Sequence, residues 1–424
     1  MGDRNTHSQD MSQPPELLDL AVIGGGASGF FTALRFGELA TGKRVAIFEQ
    51  GKQFLQKVKI SGGGRCNVTH ACFEPRQLST NYPRGERELM AAFHKWQPGD
   101  TIDWFTKLGV ELKAEEDGRM FPVTDSSATI IECFMGHAEE LGITLHTQWG
   151  LKALERKDGG FQLHFNNQLE VFARRVCIAT GSLKSSPLLK QLEALALPIE
   201  PLAPSLFAFN LDEPDLIALA GVSHPQVRIR LSGQKQGQSG PLLITHRGLS
   251  GPAVLRLSAW EARQLAEANH HFPFVIDWLP NMSLDGLSTD FECKRRQQGA
   301  KRIKNTPIAP IPRRLWELLC QRSGIAPEQT WGQLPRAVSQ KLVETLKHSK
   351  HQAVGKTTNK DEFVTCGGIS RKAIDFRSME CRAIAGLHFT GECIDLDGIT
   401  GGFNFQAAWT TAHLAATAMA QSLS

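Results

Sequence analysis

The run LLDLAVI, Leu17 to Ile23, passes straight into GGGASG, Gly24 to Gly29, and then into FFTALRFGELA; no other stretch narrows the choice of fold as sharply. A short apolar, β-prone run reads as a buried strand and the segment after it as a helix, which leaves only a tight turn between them. Glycines at Gly24, Gly26 and Gly29 suit the junction of a dinucleotide-binding βαβ unit. Gly24 permits the turn, Gly26 lets a pyrophosphate approach the backbone, and Gly29 lets helix and strand pack closely. Ala27 and Ser28 open the helix, whose free N–H groups favour an anion. The next strand, RVAIFE, ends at Glu49 with Gln50 behind it, twenty residues beyond Gly29. An acid there hydrogen-bonds a ribose hydroxyl pair and disfavours a 2′-phosphate, so FAD or NAD fits better than NADP. The expectation is an α/β, Rossmann-type domain.

A chain of 424 residues exceeds one ordinary core, and two or three domains are expected. With 47 basic against 43 acidic residues there is no whole-protein field for nucleic acid, so any such surface is local. No run approaches the ~20 apolar residues of a spanning helix, so no membrane partner is expected. Residues 1–16 are polar and read as a disordered tail. Nine scattered cysteines without a CxxC pair indicate neither a disulfide framework nor zinc, and no other spacing suggests a metal. The cytoplasm fits that usage.

Residues 143–181 read as a strand, a hairpin near Asp158-Gly159, and a strand running into Ala179-Thr180-Gly181, the loop by which FAD domains return to their sheet. Near the C-terminus, GLHFTGECIDLDGITGGFNFQAAW gives a strand, an acid-rich loop and a glycine pair opening a helix. Gly391 and Glu392 are placed to meet the pyrophosphate or ribityl chain. Gly401 and Gly402, with Asn404 and Gln406, are placed to meet an isoalloxazine, whose reduced N1–C2=O edge suits a helix N-terminus. An ordinary loop and helix cap would use the same residues.

From Pro201 short alternating strands separated by Gly, Ser and Pro turns predict a small β-rich part, and Pro252 reads as the first turn of a helix. Residues 283–352 read as mainly helical. Within them, in the segment ECKRRQQGAKRIKNTPIAPIPRRLW from Glu292 to Trp316, Lys294, Arg295, Arg296, Lys301, Arg302, Lys304, Arg313 and Arg314 stand against the single acid Glu292. Contact with an RNA backbone is one reading and a solvated helix face the other.

Four ordered segments, VIGGGASG, KVKISGGGRCNVTH, LLITHRGLSGPAVLRLS and FTGECIDLDGITGGFNFQAAW, strongly resemble the bacterial BaiN-like NAD(P)/FAD-dependent oxidoreductases, also known as aminoacetone-oxidase-family or YhiN-like FAD-binding enzymes. The resemblance spans about Leu17 to Ala416. It implies an FAD domain built from both chain ends, 17–200 and 356–424, interrupted by a β-rich insert, 201–282, and a helical basic insert, 283–355. It further implies that the GGGRCN loop lies along a non-covalent FAD. Gly62, Gly63 and Gly64 would then admit the cofactor, Arg65 would neutralise phosphate, and Lys57 would assist, a surface salt bridge being the other reading of Arg65.

No second GxGxxG follows a strand, so an NAD(P)H donor would dock transiently. The family's activities include reduction of conjugated ring double bonds, amine oxidation and, in some relatives, reduction of ribosomal RNA uridine to dihydrouridine. The expectation is hydride transfer from flavin N5 to a polarised C=C, with Cys66 as the candidate acid and Asn67 as its orienter, a small buried residue chosen for fit being the other reading of Cys66. A small-molecule reductase or amine oxidase, and a flavin-bound RNA-binding factor without turnover, are the alternatives.

Overall fold

The first strand forms as β1 (Leu18–Ile23), buried at all but one position. A strand apolar on both faces belongs inside a parallel sheet covered on both sides. It lies there in the computed structural model, which describes residues 17–184, 186–357 and 364–423; the tail expected at 1–16 falls outside them. β1 pairs in parallel with β2 (Val45–Glu49), β2 with β3 (Thr144–Thr147), and on its other side β1 pairs with β4 (Glu170–Ile178). The strand Leu387–Phe389, from the far end of the chain, adds in parallel to β4.

Register matters more here than strand count. Ile178 lies opposite Ile23 on one side and opposite Phe389 on the other, so three strands end level. The segments beginning at Gly24, Ala179 and Thr390 therefore leave the sheet side by side at its carboxyl edge, where open α/β sheets bind ligands.

The helix α1 (Ala27–Leu39) follows β1, and the last helix, Phe403–Ser422, packs on it. Their contact is aromatic: the Phe31 ring is 5.2 Å from Trp409 and also 4.8 Å from Trp104 of the helix Pro98–Lys107, and none of Phe31 is exposed. Such a side chain is worth about 3–5 kcal/mol against alanine.

The described chain divides into two compact units. One comprises the residues up to Leu202 and from Gly367 onward, the other Ala203–Cys366. The α/β, Rossmann-type architecture with an inserted β-rich and helical part is thus present. The inserted unit holds a closed barrel of β5 (Ala208–Leu211), β6 (Ser223–Leu231), β7 (Gln238–Thr245), β8 (Gly248–Ser250), β9 (His271–Asp277) and β10 (Ser349–Thr357). The helix Pro252–Trp260 begins at Pro252. Between β9 and β10 run helices that include α2 (Leu284–Gln297), α3 (Arg313–Arg322) and α4 (Arg336–Lys347).

The segment 283–355 therefore departs from expectation at its end, because β10 is a barrel strand. Ser349, His351 and Ala353 point inward and Lys350, Gln352 and Val354 outward, a period of two that no helix satisfies. By pairing with both β5 and β9, β10 removes two open edges.

Candidate functional site

At the carboxyl edge, each glycine of the first turn has its own reason. Gly24 has φ +114°, and a Cβ there would lie 2.5 Å from Ala179 O, so conformation and the neighbouring loop both exclude a side chain. A Cβ on Gly29 would lie 1.9 Å from Gly24 O. Gly26 is different: its φ is −90°, and a Cβ would meet nothing within 4 Å. Neither backbone strain nor packing calls for glycine there. The open space sits at the start of α1, which has no side-chain cap and no acid in its first turn, so the helix end is left to attract an anion.

Other segments converge on this point. Glu49 accepts from Gly25 N–H at 2.8 Å and Gly51 N–H at 2.7 Å, which fixes the carboxylate at the end of β2, while Gln50 beside it is exposed. A Cβ on Gly391 would lie 2.9 Å from Ser28 Cβ. Glu392 pairs with Lys57 at 2.5 Å, and the same carboxylate would be 3.7 Å from a Cβ on Gly181. The hydroxyls of Ser28 and Thr180 are buried without a hydrogen-bond partner among the described residues. Gly63 and Gly64, with φ +69° and +85°, also have open space where a Cβ would be. An uncapped helix end, an anchored carboxylate, unspent hydroxyls and three open glycines fit a dinucleotide.

Beyond this cradle several of the expected site residues already have partners within the chain. Arg65 does not stand free for a phosphate. Its guanidinium lies 2.6 Å from Glu115 and 3.4 Å from Asp125 and 3.9 Å over the Phe121 ring, so acids from the neighbouring loops already match its charge. Cys66 is fully buried, and burial pushes its thiol up to about 12 against the opposing pull of the Ser61 hydroxyl.

Asn67 does not orient Cys66. With its amide turned to match its neighbours, its nitrogen donates to Thr69 O at 3.0 Å and Met120 O at 3.2 Å and its oxygen accepts from Gly402 N–H at 2.9 Å. Gly402 is a glycine because a Cβ would lie 2.4 Å from Thr69 O, and Gly401 because one would lie 3.1 Å from the Phe403 ring. Asn404 is spent on Gly398, accepting from its N–H at 2.8 Å and donating to its O at 2.9 Å. Gln406 is fully buried, accepts from Thr69 and Thr101 hydroxyls at 2.6 and 3.1 Å, and donates to Thr410 at 3.1 Å. The polar residues of the last helix's first turn thus brace the loop, and their backbone alone is left for a ligand.

Sequence reasoning passed over the brace itself. Asp397 forms a buried two-point pair with Arg84, and Asp395 lies 3.5 Å from Arg371. Together they hold the segment between Gly391 and Gly401. The paired acids in IDLD hinted at this, but Arg84 is 313 positions away and carries no local signal. His70 stacks on Phe403 at 4.6 Å with Nε2 3.1 Å from Asp117 O, and burial pulls its imidazole below the ordinary range.

Half of the basic run is ion-paired within the inserted unit. Lys294 pairs with Asp290, Arg313 with Glu317, and Arg302 and Lys304 with Glu328. Arg295 donates to Leu334 O and Arg314 to Ala218 O. Only Arg296 and Lys301 of the eight lack a partner among the described residues, so the run is not one continuous surface of free charge. No helix among the described residues is long and apolar enough to cross a membrane, and no group of His, Cys, Asp and Glu among them could hold a metal ion.

Residues 18–418 match the family model described as the HI0933-like protein Rossmann domain. A protein of Escherichia coli strain K12 named ribosomal RNA dihydrouridine synthase is 32% identical over 407 residues, covering 94% of this chain and 96% of its own. A Clostridium scindens protein named 3-dehydro-bile acid delta(4,6)-reductase is 26% identical over 411 residues, covering 95% of this chain and 99% of its own. Among solved structures, 3-ketosteroid-delta4-(5alpha)-dehydrogenase from Rhodococcus jostii RHA1 aligns with a TM-score of 0.50 at 12% identity, covering 97% of this chain and 99% of that one, a likeness of fold alone.

Proposed function

This chain belongs to the HI0933-like Rossmann-domain family of FAD-dependent oxidoreductases, and on that premise we propose that it is an NAD(P)H-driven reductase of the cytoplasm that converts uridine in ribosomal RNA to dihydrouridine. The observation that carries the cofactor half is the level ending of three parallel strands beside an uncapped helix and an open Gly26. The substrate half is supported by the name of the relative that is 32% identical along nearly its whole length.

When bound and reduced, FAD would supply the hydride for a polarised C=C such as C5=C6 of uracil, with the proton that completes the reduction taken from solvent. The chain's own work is binding and positioning. The first turn of α1 and the bare backbone at Gly26 take the pyrophosphate charge. Glu49, already held by Gly25 and Gly51, offers remaining lone pairs to ribose hydroxyls. Lys57 and Glu392 bring segments from opposite ends of the chain together at the same place. The Arg84–Asp397 pair and the Asn67 amide fix the loop before the last helix, so that its backbone donors are set before the ligand arrives.

The test is direct. Purified protein reconstituted with FAD is reduced anaerobically with NADH or NADPH, then offered ribosomal RNA that lacks dihydrouridine. Reoxidation of the flavin with appearance of dihydrouridine by mass spectrometry is expected; a reduced flavin that RNA never reoxidises refutes the substrate. The bile-acid reductase relative favours a second reading, reduction of a small conjugated enone. Reoxidation by such compounds and not by RNA would select it.

A further inference from the structure

Folding separates the cations of the helical basic run into spent and unspent ones, and the two unspent ones, Arg296 and Lys301, lie at and just after the end of α2. After α2 the chain turns back and forms a short ladder with residues 329–332. Gly332 N–H donates to Gly299 O at 2.9 Å, Trp331 N–H to Lys301 O at 3.1 Å, and Ile303 N–H to Gln329 O at 3.0 Å. Two glycines let these backbones touch, since a Cβ on Gly332 would lie 3.1 Å from Gly299 O. The ladder thereby brings the end of α2 next to the segment that leads into α4 at Arg336.

Arg296, Lys301 and Arg336 are all exposed here without an ion-pair or hydrogen-bond partner among the described residues. Arg302 and Lys304 share one carboxylate, Glu328, at 2.6 and 3.6 Å. Glu292, one turn before Arg296, is the other exposed acid close in sequence. The usual account of cations at a helix C-terminus covers Arg296 but not Lys301 or Arg302, which lie beyond the helix. It runs the wrong way for Arg336, the first residue of α4, which faces the positive end of its own helix. Beside the ladder, Arg296 and Gln297 line an open groove of about 450 Å³ on the solvent face of α2, with Ser288, Thr289, Glu292 and Cys293.

We propose that this ladder end, with Arg296, Lys301 and Arg336 as its contacts, docks the phosphodiester backbone of the RNA substrate. The inference rests on the RNA reading above and narrows it from the whole basic run to three residues, one of them outside that run. Unpaired cations held on a fixed backbone suit phosphates, which position a nucleic acid without reading its sequence.

The experiment uses the full-length, FAD-loaded protein and purified ribosomal RNA. Arg296→Glu, Lys301→Glu and Arg336→Glu are made singly and together, with Arg313→Glu as an equal charge change on a cation the structure already pairs. The triple variant is expected to lose RNA affinity by roughly tenfold or more at low salt, and the slope of log affinity against log salt to fall by about one per cation. FAD content, flavin spectrum and thermal midpoint stay unchanged, as do all properties of the control. Bound RNA should also slow maleimide labelling of Cys293, the exposed one of the nine cysteines. If wild-type protein binds RNA and the triple variant matches it in affinity and slope, the surface is wrong and the RNA reading stands. If wild-type protein does not bind RNA, that reading fails and the surface falls with it. Loss of binding to polyglutamate alone would mark a site for an acidic protein and likewise overturn the proposal.

Discussion

Gly26→Ala is the sharpest perturbation the structure offers, because it separates the needs of the protein from those of its ligand. The backbone at Gly26 has φ −90° and ψ −170°, open to any L-residue, and an added Cβ meets nothing within 4 Å. Alanine at a helix N-cap is less favourable than glycine by several tenths of a kcal/mol. Removing a glycine recovers about 0.4–1 kcal/mol from the unfolded state. The two nearly cancel, so the cofactor-free midpoint should move by less than about 3 °C. In the loaded protein the methyl occupies the space the pyrophosphate needs. Loss of one or two charge-assisted hydrogen bonds at about 1.5–3 kcal/mol each weakens FAD binding by roughly ten- to a thousandfold or more.

The contrast is Gly29→Ala, whose Cβ would lie 1.9 Å from Gly24 O; it should destabilise the cofactor-free protein by about 1–3 kcal/mol or more. Cofactor-free melts followed by circular dichroism and FAD titration followed by flavin fluorescence read the two effects separately. Wild-type FAD affinity in Gly26→Ala would refute the assignment of this space to the cofactor. A large loss of cofactor-free stability would refute the claim that the protein itself does not need the glycine.

Three further outcomes follow from particular contacts. Asp397→Asn leaves Arg84 buried without its counter-charge and should cost about 3–5 kcal/mol in denaturant melts, whereas replacing both with apolar residues of similar volume should cost less; equal losses would show that shape rather than charge holds the loop. Cys66→Ala should leave the rate of flavin reoxidation by substrate within a few-fold of wild type. Because burial lifts the Cys66 thiol to about 12, no ionisation of it should enter the rate profile below pH 10, and a Cys66-dependent limb near pH 8–9 would restore it as the acid. His388 is buried and its imidazole is held down to about 4, chiefly by burial and also by Arg175, against the opposing pull of Ser378 O and Glu380. A histidine that charges only on unfolding contributes stability that is full above about 6.5 and is lost as pH falls toward 4. His388→Gln should flatten that part of the acid melting curve, and an unchanged slope would argue that the ring is already charged in the folded state.

How far the sequence could be read depended on the range of the forces involved. β1, its glycine turn and α1 lie within about 20 residues of one another, and apolar period, turn chemistry and the need for close approach are local properties that a string of residues displays. The placement of Glu49 and of the Gly391–Glu392 loop at strand ends was legible for the same reason, since a recognisable strand runs up to each. Charge partners are not local. Arg65 looked available for phosphate until folding placed Glu115 and Asp125 beside it, 50 and 60 positions away, and Gln406 looked available for a ring until Thr69 and Thr101 claimed it. The barrel's closing strand, β10, was hidden by the helices that precede it, because closure depends on pairing with β5 and β9, far back in the chain. Residue type announces what a group is able to bind, whereas only the folded chain decides whether that capacity has already been used.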